Sequence, residues 1–298
     1  MYQKKAFIPI IRNLQQQERL SLSHCCRLFG ISRQAIYQSE HRYYCRSKEL
    51  ELVKKKVQKV RMSMPRIGTR KLHYLLEAEL KELGVKIGRD GMFQFLREEH
   101  MLIKRRKNYT KTTNSKHWLR KHPNLLPSQK LDKPEQVFVS DITYIKSKER
   151  THYLSLVTDA YSRKIMGYHL SDDMYSENVV KALKMANNLS INTKGTIHHS
   201  DRGIQYCSTT YQNELIKNDM ICSMTDGYDC YQNALAERIN GILKEEFLFH
   251  KCKSGKQLNN LIKESIHIYN TKRPHLSLNM KTPEYIHEKA REVNSSGS

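Results

Sequence analysis

The chain has 298 residues, 38% hydrophobic and 28% charged, which fits about two domains that each bury a core. No apolar run nears the roughly 18 residues a membrane span needs, and no long apolar stretch with a small-residue cleavage site follows the N-terminus, so the cytoplasm is the expected compartment. The net charge of +22 is lopsided: residues 1–130 hold 30 Lys and Arg against 10 Asp and Glu, while residues 131–298 hold 22 against 20, an excess that more often marks a nucleic-acid partner than a merely solvated face.

The segment "LSLSHCCRLFGISRQAIYQSEHRYY" predicts two short helices separated by Gly30, which would end the first in a left-handed turn, while Ser32 would N-cap the second. An ordinary helical hairpin has the same periodicity. The basic context, and the outward Arg33, Gln34 and Gln38 on the second helix, favour a helix-turn-helix docked on DNA. A basic helical connector follows around "LVKKKVQKVR". Helical patterns at residues 68–82 and 88–98, broken by Gly84, predict a second small helical unit with Arg89 and Arg97 on its later helix. The run Lys104, Arg105, Arg106 and Lys107 suits phosphate contacts, although charge runs alone are usually solvated.

Between Lys111 and Gln136 polar residues and Pro123, Pro127 and Pro134 predict a linker. From Val137 the texture turns to strand: "VFVSDITYI", "THYLSLVTDAY" and "RKIMGYHL" predict an antiparallel meander. A helix at "SENVVKALKMANNL", a strand over Thr196–His199, a helix near "TYQNELIKN", a strand near "ICSM" and the helix "NALAERINGILKEE" complete a mixed sheet covered by helices. The expected domains are 1–64, helix-turn-helix with connector; 65–110, second helical unit; 111–134, linker; and 135–298, the α/β domain with a C-terminal helical extension.

Three acids stand out within this pattern. Asp141 interrupts an apolar strand, sharing a face with Val137 and Val139, where a carboxylate is costly to desolvate unless something meets it. Asp201, in "HHSDRG", follows the C-terminal end of a strand, the edge where open α/β sheets bind ligands. On the helix from Asn233, at about 100° per residue, Leu235, Ile239, Ile242, Leu243 and Phe247 form an apolar stripe. Asn233, Glu237, Asn240 and Lys244 cluster on nearly the opposite side. Taken alone, Glu237 would be a solvated acid and Lys244 a surface lysine. As a set, with 35 residues between Asp201 and Glu237, three carboxylates can converge at one sheet edge and hold two hard divalent cations, Mg²⁺ or Mn²⁺, for in-line phosphoryl displacement. Lys244 would contact an entering phosphate. Asp159 reads as a turn acid, His198 and His199 as packing or locally hydrogen-bonded groups, and Asp172 and Asp173 as capping or solvent-facing acids. Seven cysteines without CxxC spacing fit neither a disulfide framework nor a zinc site.

Together "VFVSDITYI", "HHSDRGIQY", "NALAERINGILKEE" and "YNTKRPHLSLNMKTPEY" resemble the retroviral-integrase-like core of bacterial insertion-sequence transposases, specifically the OrfB product of insertion sequence 3 family elements, over about residues 20–290. The resemblance implies an RNase H-like catalytic domain preceded by helix-turn-helix units. Its catalytic DDE triad falls on Asp141, Asp201 and Glu237, which would also be the metal ligands, with Lys244 positioning DNA. It further implies strand cleavage by water followed by strand transfer from a freed 3′-hydroxyl, and a multimer pairing two DNA ends in the bacterial nucleoid. Production as a frameshift fusion with an upstream helix-turn-helix protein is also implied. The chain departs from the family at Phe138, where Trp is frequent, and in "GYDCYQNA" before the last helix. Tyr269, Arg273 and His275 match the C-terminal pattern without an evident chemical role. A nuclease lacking strand transfer, or a DNA-binding regulator, are the rival expectations.

Overall fold

Alternating apolar residues in Val137–Lys146 (β1), Thr151–Asp159 (β2) and Ile165–Ser171 (β3) build the predicted antiparallel meander, with Asp141 opposite Leu156. In the computed structural model, which describes residues 2–17, 20–104, 119–226 and 233–295, two more strands run parallel to β1. They are Ile197–Ser200 (β4), one residue later than its sequence pattern indicates, and Ile221–Met224 (β5). The order β3-β2-β1-β4-β5 is that of an RNase H-like mixed sheet. β1 lies at its centre, flanked by an antiparallel and a parallel neighbour.

Pleating sends alternate residues of β1 to opposite faces. Phe138 points into a core shared with Val179, Leu183 and Ala186 of the helix Ser176–Leu189, and with Tyr211 and Leu215 of the helix Thr209–Lys217. On this side His198 faces both the Ser140 hydroxyl and the Tyr211 hydroxyl at 2.8 Å, while on the opposite face His199 meets Ser223 at 2.9 Å. Both histidines are therefore spent on local hydrogen bonds. Val137, Val139 and Ile197 face the other way, where they pack with Ala160 and with Ala236 of the helix Ala234–Ile242.

Beyond that helix lie Gly255–Thr271 and Pro283–Ser295, which form the C-terminal extension. Pro283–Ser295 is pinned by a buried polar network. Asp159 accepts from the Glu135 and Ser162 amides at 2.8 Å and from the Ser162 hydroxyl at 2.5 Å, which confirms it as a turn acid. His287, fully buried, lies 3.4 Å from Asp159 and 3.5 Å from Glu135. Residues 119–135 also touch the sheet: Met224 donates its amide to the Pro123 carbonyl at 3.2 Å, and Leu125 to the Ser223 hydroxyl at 2.9 Å.

By contact, residues 61–74 and 101–298 form one compact unit and residues 1–60 and 75–100 another. The second unit is helical. Tyr2–Gln17, Leu22–Leu28 and the start of Arg33–Ser63 enclose Ile11, Cys25, Cys26 and Ile36, and Arg12 forks onto Glu40 at 2.6 Å. Gly30 takes the left-handed φ of 60° expected at a helix end, and the Ser32 hydroxyl accepts from the Ala35 amide at 3.1 Å. One expectation is corrected. The second helix and the connector are a single 31-residue helix, because nothing between Arg33 and Ser63 is glycine or proline. Within this unit Lys54 pairs with Glu99 at 2.7 Å, and Lys56 pairs with Glu79 of the helix Thr69–Glu82. The helix Arg89–Glu98 buries Met92, Phe95 and Leu96. No helix among the described residues is long and apolar enough to cross a membrane.

Burial alone would depress the imidazolium of His287, but hydrogen bonds to Asp159 and Glu135 outweigh it and raise its pKa above 6.5. Its stabilisation is complete below that ordinary value and fades as pH rises through the folded one. His287→Gln is expected to lower the melting temperature at pH 6 by about 4–8 °C, for a loss of roughly 2 kcal/mol, and to show a smaller decline of stability from pH 6 to 8. Thermal melts across that range check both.

Candidate active site

The parallel pairing of β1 and β4 sets the site. Val137 pairs with Ile197, Phe138 with His198 and Val139 with His199. β4 ends at Ser200 and Asp201 follows it directly, so a continuation of the same register sets it beside Asp141, whose carboxyl feels the charge of Asp201. The Asp201 carboxylate accepts from the Gly203 amide at 3.0 Å, and a Cβ on Gly203 would come within 2.9 Å of that carboxylate oxygen, so a side chain there would press on the Asp201 carboxylate.

The helix Ala234–Ile242 brings Glu237 to this edge, held by an asparagine on either side. Asn233, 4% exposed, donates to the Ser140 carbonyl at 3.0 Å. Asn240, equally buried, donates to Asp141 Oδ2 at 2.7 Å, while Asp141 Oδ1 accepts from the Ile142 amide at 2.9 Å. Sequence placed Asn233 and Asn240 on the face of Glu237 without giving either a task. Their spacing of seven, two helical turns around a central acid, is the signal that could have done so.

Electrostatically the acids feel one another. Burial pushes the Asp141 carboxyl up to about 7, the charge of Asp201 and more weakly that of Glu237 push the same way, and the Asn240 bond opposes them. Partial desolvation by its neighbours, followed by the charge of Asp201, raises Glu237, although the residue as a whole stays exposed. Lys244 is lowered by burial, with Asp141 pulling the other way, so the lysine reaches the same cluster. The fully enclosed Tyr206 lies within the influence of Asp141 and Asp201, and its hydroxyl has no hydrogen-bond partner among the described residues.

The helix bearing Glu237 does not continue as an α-helix to Glu246. Residues Leu243–Phe247 form a π turn, closed by the Leu248 amide on the Leu243 carbonyl at 2.9 Å. The wider turn carries Lys244 toward the carboxylates and Glu246 toward the C-terminal extension.

Among the described residues no three His, Cys, Asp or Glu groups close into a cage for an ion. Oxygen donors grouped at this sheet edge nonetheless suit a hard cation such as Mg²⁺, which keeps several waters and is bound through one or two carboxylates plus substrate phosphates. The acids raise one another's pKa on top of the effect of burial, as carboxylates do when their charges are brought close together, and a cation held among them would relieve that repulsion.

The other predicted residues lie elsewhere. Arg33, Gln34 and Gln38 are exposed on the first two turns of Arg33–Ser63, and Arg97 is exposed in the last turn of Arg89–Glu98. Arg89 pairs with its neighbour Asp90 at 3.0 Å. Lys104 is exposed, with its carbonyl accepting from Arg66 at 2.6 Å. Arg105, Arg106, Lys107, residues 111–118 of the linker and the "GYDCYQ" approach lie outside the described residues.

Residues 132–230 match one integrase core domain family, and residues 218–283 match a second integrase core domain family. An uncharacterised 31 kDa protein of insertion element IS600 from Shigella sonnei is 34% identical over 269 residues, 89% of this chain and 97% of its own. Transposase InsF of insertion sequence IS3A from Escherichia coli K12 is 28% identical over 244 residues, 78% of this chain and 81% of its own. The chain belongs to the insertion sequence 3 family of transposases. As a member of that family it is a DDE-type polynucleotidyl transferase acting in DNA transposition, and dependence on a divalent metal belongs to its integrase-like core. The HTLV-2 integrase catalytic core, solved with magnesium, aligns at 21% identity over 53% of this transposase and 99% of its own chain, with a TM-score of 0.44.

Because the Asp141 carboxyl titrates near 7 rather than its ordinary 3.8, the metal-free fold loses stability as pH rises between those values and not beyond. Asp141→Asn is therefore expected to raise the melting temperature of the metal-free transposase at pH 8 by several degrees. Melts in chelator check this, and an equal or lower value would contradict the crowding of charge.

Proposed function

We propose that Asp141, Asp201 and Glu237 are the catalytic carboxylates and metal ligands of this transposase. The observation that carries the assignment is the β1–β4 pairing, which runs toward Asp141 and Asp201 and leaves the two charges acting on each other, while Asn240 ties the helix of Glu237 to Asp141. When bound, two Mg²⁺ or Mn²⁺ ions would activate the attacking hydroxyl and stabilise the leaving oxygen of an in-line displacement.

The residues of the chain prepare that step. Asn240 and the Ile142 amide orient Asp141, the Gly203 amide orients Asp201, and Asn233 fixes the start of the helix that presents Glu237. Lys244 would meet a phosphate at the edge of the carboxylates and hold the scissile strand in line. In the nicking reaction a water oxygen forms a bond to phosphorus as the bond to a 3′ oxygen breaks, leaving a 3′-hydroxyl. In strand transfer that hydroxyl displaces another 3′ oxygen, so one phosphodiester replaces another and no external energy source is required.

The basic N-terminal half recognises the element ends. Arg33, Gln34 and Gln38, exposed at the start of a helix in a helix-turn-helix, are placed to read base edges, while Arg89, Arg97 and Lys104 to Lys107 would meet phosphates. Residues 1–64 and 65–110 then act as two DNA-binding units joined by residues 111–134 to the catalytic domain. The working form pairs two ends as a multimer on nucleoid DNA, and fusion to an upstream helix-turn-helix protein by frameshifting would add a further contact.

Labelled duplexes carrying the ends that flank the gene test the assignment. The wild-type chain is expected to nick and join them with Mg²⁺ or Mn²⁺, with Asp201→Asn and Glu237→Gln binding normally but losing about 10³-fold or more in rate. Variants as active as wild type would remove the triad, and nicking without joining would indicate a nuclease. Arg33→Ala should instead weaken end binding by about 1–3 kcal/mol, read by a shift assay at fixed salt.

A further inference from the structure

The turn that follows the helix of Glu237 is held by a charged cluster distinct from the three carboxylates. Glu246, on the π turn with Lys244, accepts from Arg273 Nε at 2.7 Å and Nη2 at 2.6 Å, a bidentate fork. The Arg273 side chain is 2% exposed. Its Nη1 donates to His275 Nε2 at 3.0 Å, and burial together with Arg273 keeps that imidazole neutral, its pKa pushed down to about 2. Tyr269 completes the cradle: its ring centroid lies 5.8 Å from the guanidinium carbon, and its hydroxyl donates to the Arg163 carbonyl at 3.0 Å. Lys71 approaches Glu246 from a different part of the chain, at 3.4 Å.

Holding the fold together does not by itself call for such a cluster. Desolvating two charges costs as much as their attraction commonly returns, and apolar residues of similar volume would pack the helix at least as firmly. What a bidentate Arg–carboxylate pair adds is direction, because the planar fork fixes the carboxylate's orientation as well as its distance. That matters on a π turn, whose i→i+5 geometry is rare and tends to occur at functional sites. Lys244 is two residues before Glu246, so the rotation of the turn that Arg273 sets also sets where Lys244 points.

We propose that Arg273, acting through Glu246 and supported by Lys71, is a positioning residue for DNA: it locks the π turn so that Lys244 faces the carboxylate cleft. The proposal rests on the assignment of Lys244 as a phosphate contact. It gives the C-terminal "YNTKRPH" run a chemical task, with Arg273 as the fork, His275 as a neutral acceptor and Tyr269 as the wall.

A double-mutant cycle on the full chain tests this, comparing wild type, Arg273→Lys, Lys244→Ala and the pair. The readouts are kcat and KM for strand joining, thermal stability, and the salt dependence of end binding in chelator. Arg273→Lys retains the charge but not the fork. It is expected to lower kcat by about 10–100-fold and to reduce the salt slope by about one phosphate, as Lys244→Ala does, and the pair should be no worse than Lys244→Ala alone. If Arg273→Lys fails to fold, Glu246→Gln combined with Arg273→Gln removes both charges together and enters the same cycle. Additive losses, or losses that follow the melting temperature with the salt slope intact, would overturn the clamp. An unaltered salt slope and rate in Lys244→Ala would overturn it differently, by removing the phosphate contact on which it depends.

Discussion

The repulsion between Asp141 and Asp201 is the constraint around which the catalytic domain is organised. The parallel pairing of β1 with β4 runs toward both acids, and burial, with the charge of Asp201, raises Asp141 to about 7. A fold selected for stability alone would separate them or replace one with an amide. On the proposed assignment a divalent cation would supply the missing positive charge, and the surrounding structure holds devices that let the acids be tolerated without it.

Those devices are of two kinds. Close to the carboxylates are hydrogen-bond donors from the amides of Ile142 and Gly203 and from the side chain of Asn240, each of which favours the ionised form without neutralising it. Further out is apolar packing: Val137, Val139, Ile197 and Ala236 on the acid-bearing face, and Phe138 with the helices at 176–189 and 209–217 on the other. The sheet is covered on both sides around its central strand, so Asp141 has little freedom to swing away. The helix of Glu237 is anchored at the front by Asn233 and Asn240 and at the back by Glu246, so its exposed acid is presented to the cleft by a rigid element.

Much of this was legible in the sequence because it is written in local patterns. Strand alternation marked β1 to β3, Gly30 and Ser32 marked the helix-turn-helix, and helical periodicity put Glu237, Asn240 and Lys244 on one side of a helix. Long-range pairings had no such mark. The bond from Asn240 to Asp141 joins residues 99 apart, and that from Ser162 to His287 joins residues 125 apart. Nothing near Arg273 in the chain announces that Glu246 will meet it. The π turn was missed for a related reason: "LKEEF" is good α-helical composition, and only the tertiary pull on Glu246 distinguishes it. The merging of connector and second helix was available from sequence, since Arg33–Ser63 holds no breaker.

The most direct measurement of the central claim is an anomalous difference map from crystals of the full chain grown with Mn²⁺. A peak within about 2.2 Å of oxygens from both Asp141 and Asp201, with Glu237 turned toward it, is the predicted result. Well-ordered carboxylates with no peak between them, or manganese bound elsewhere while the cleft stays empty, would contradict the view that these acids are held together for a metal.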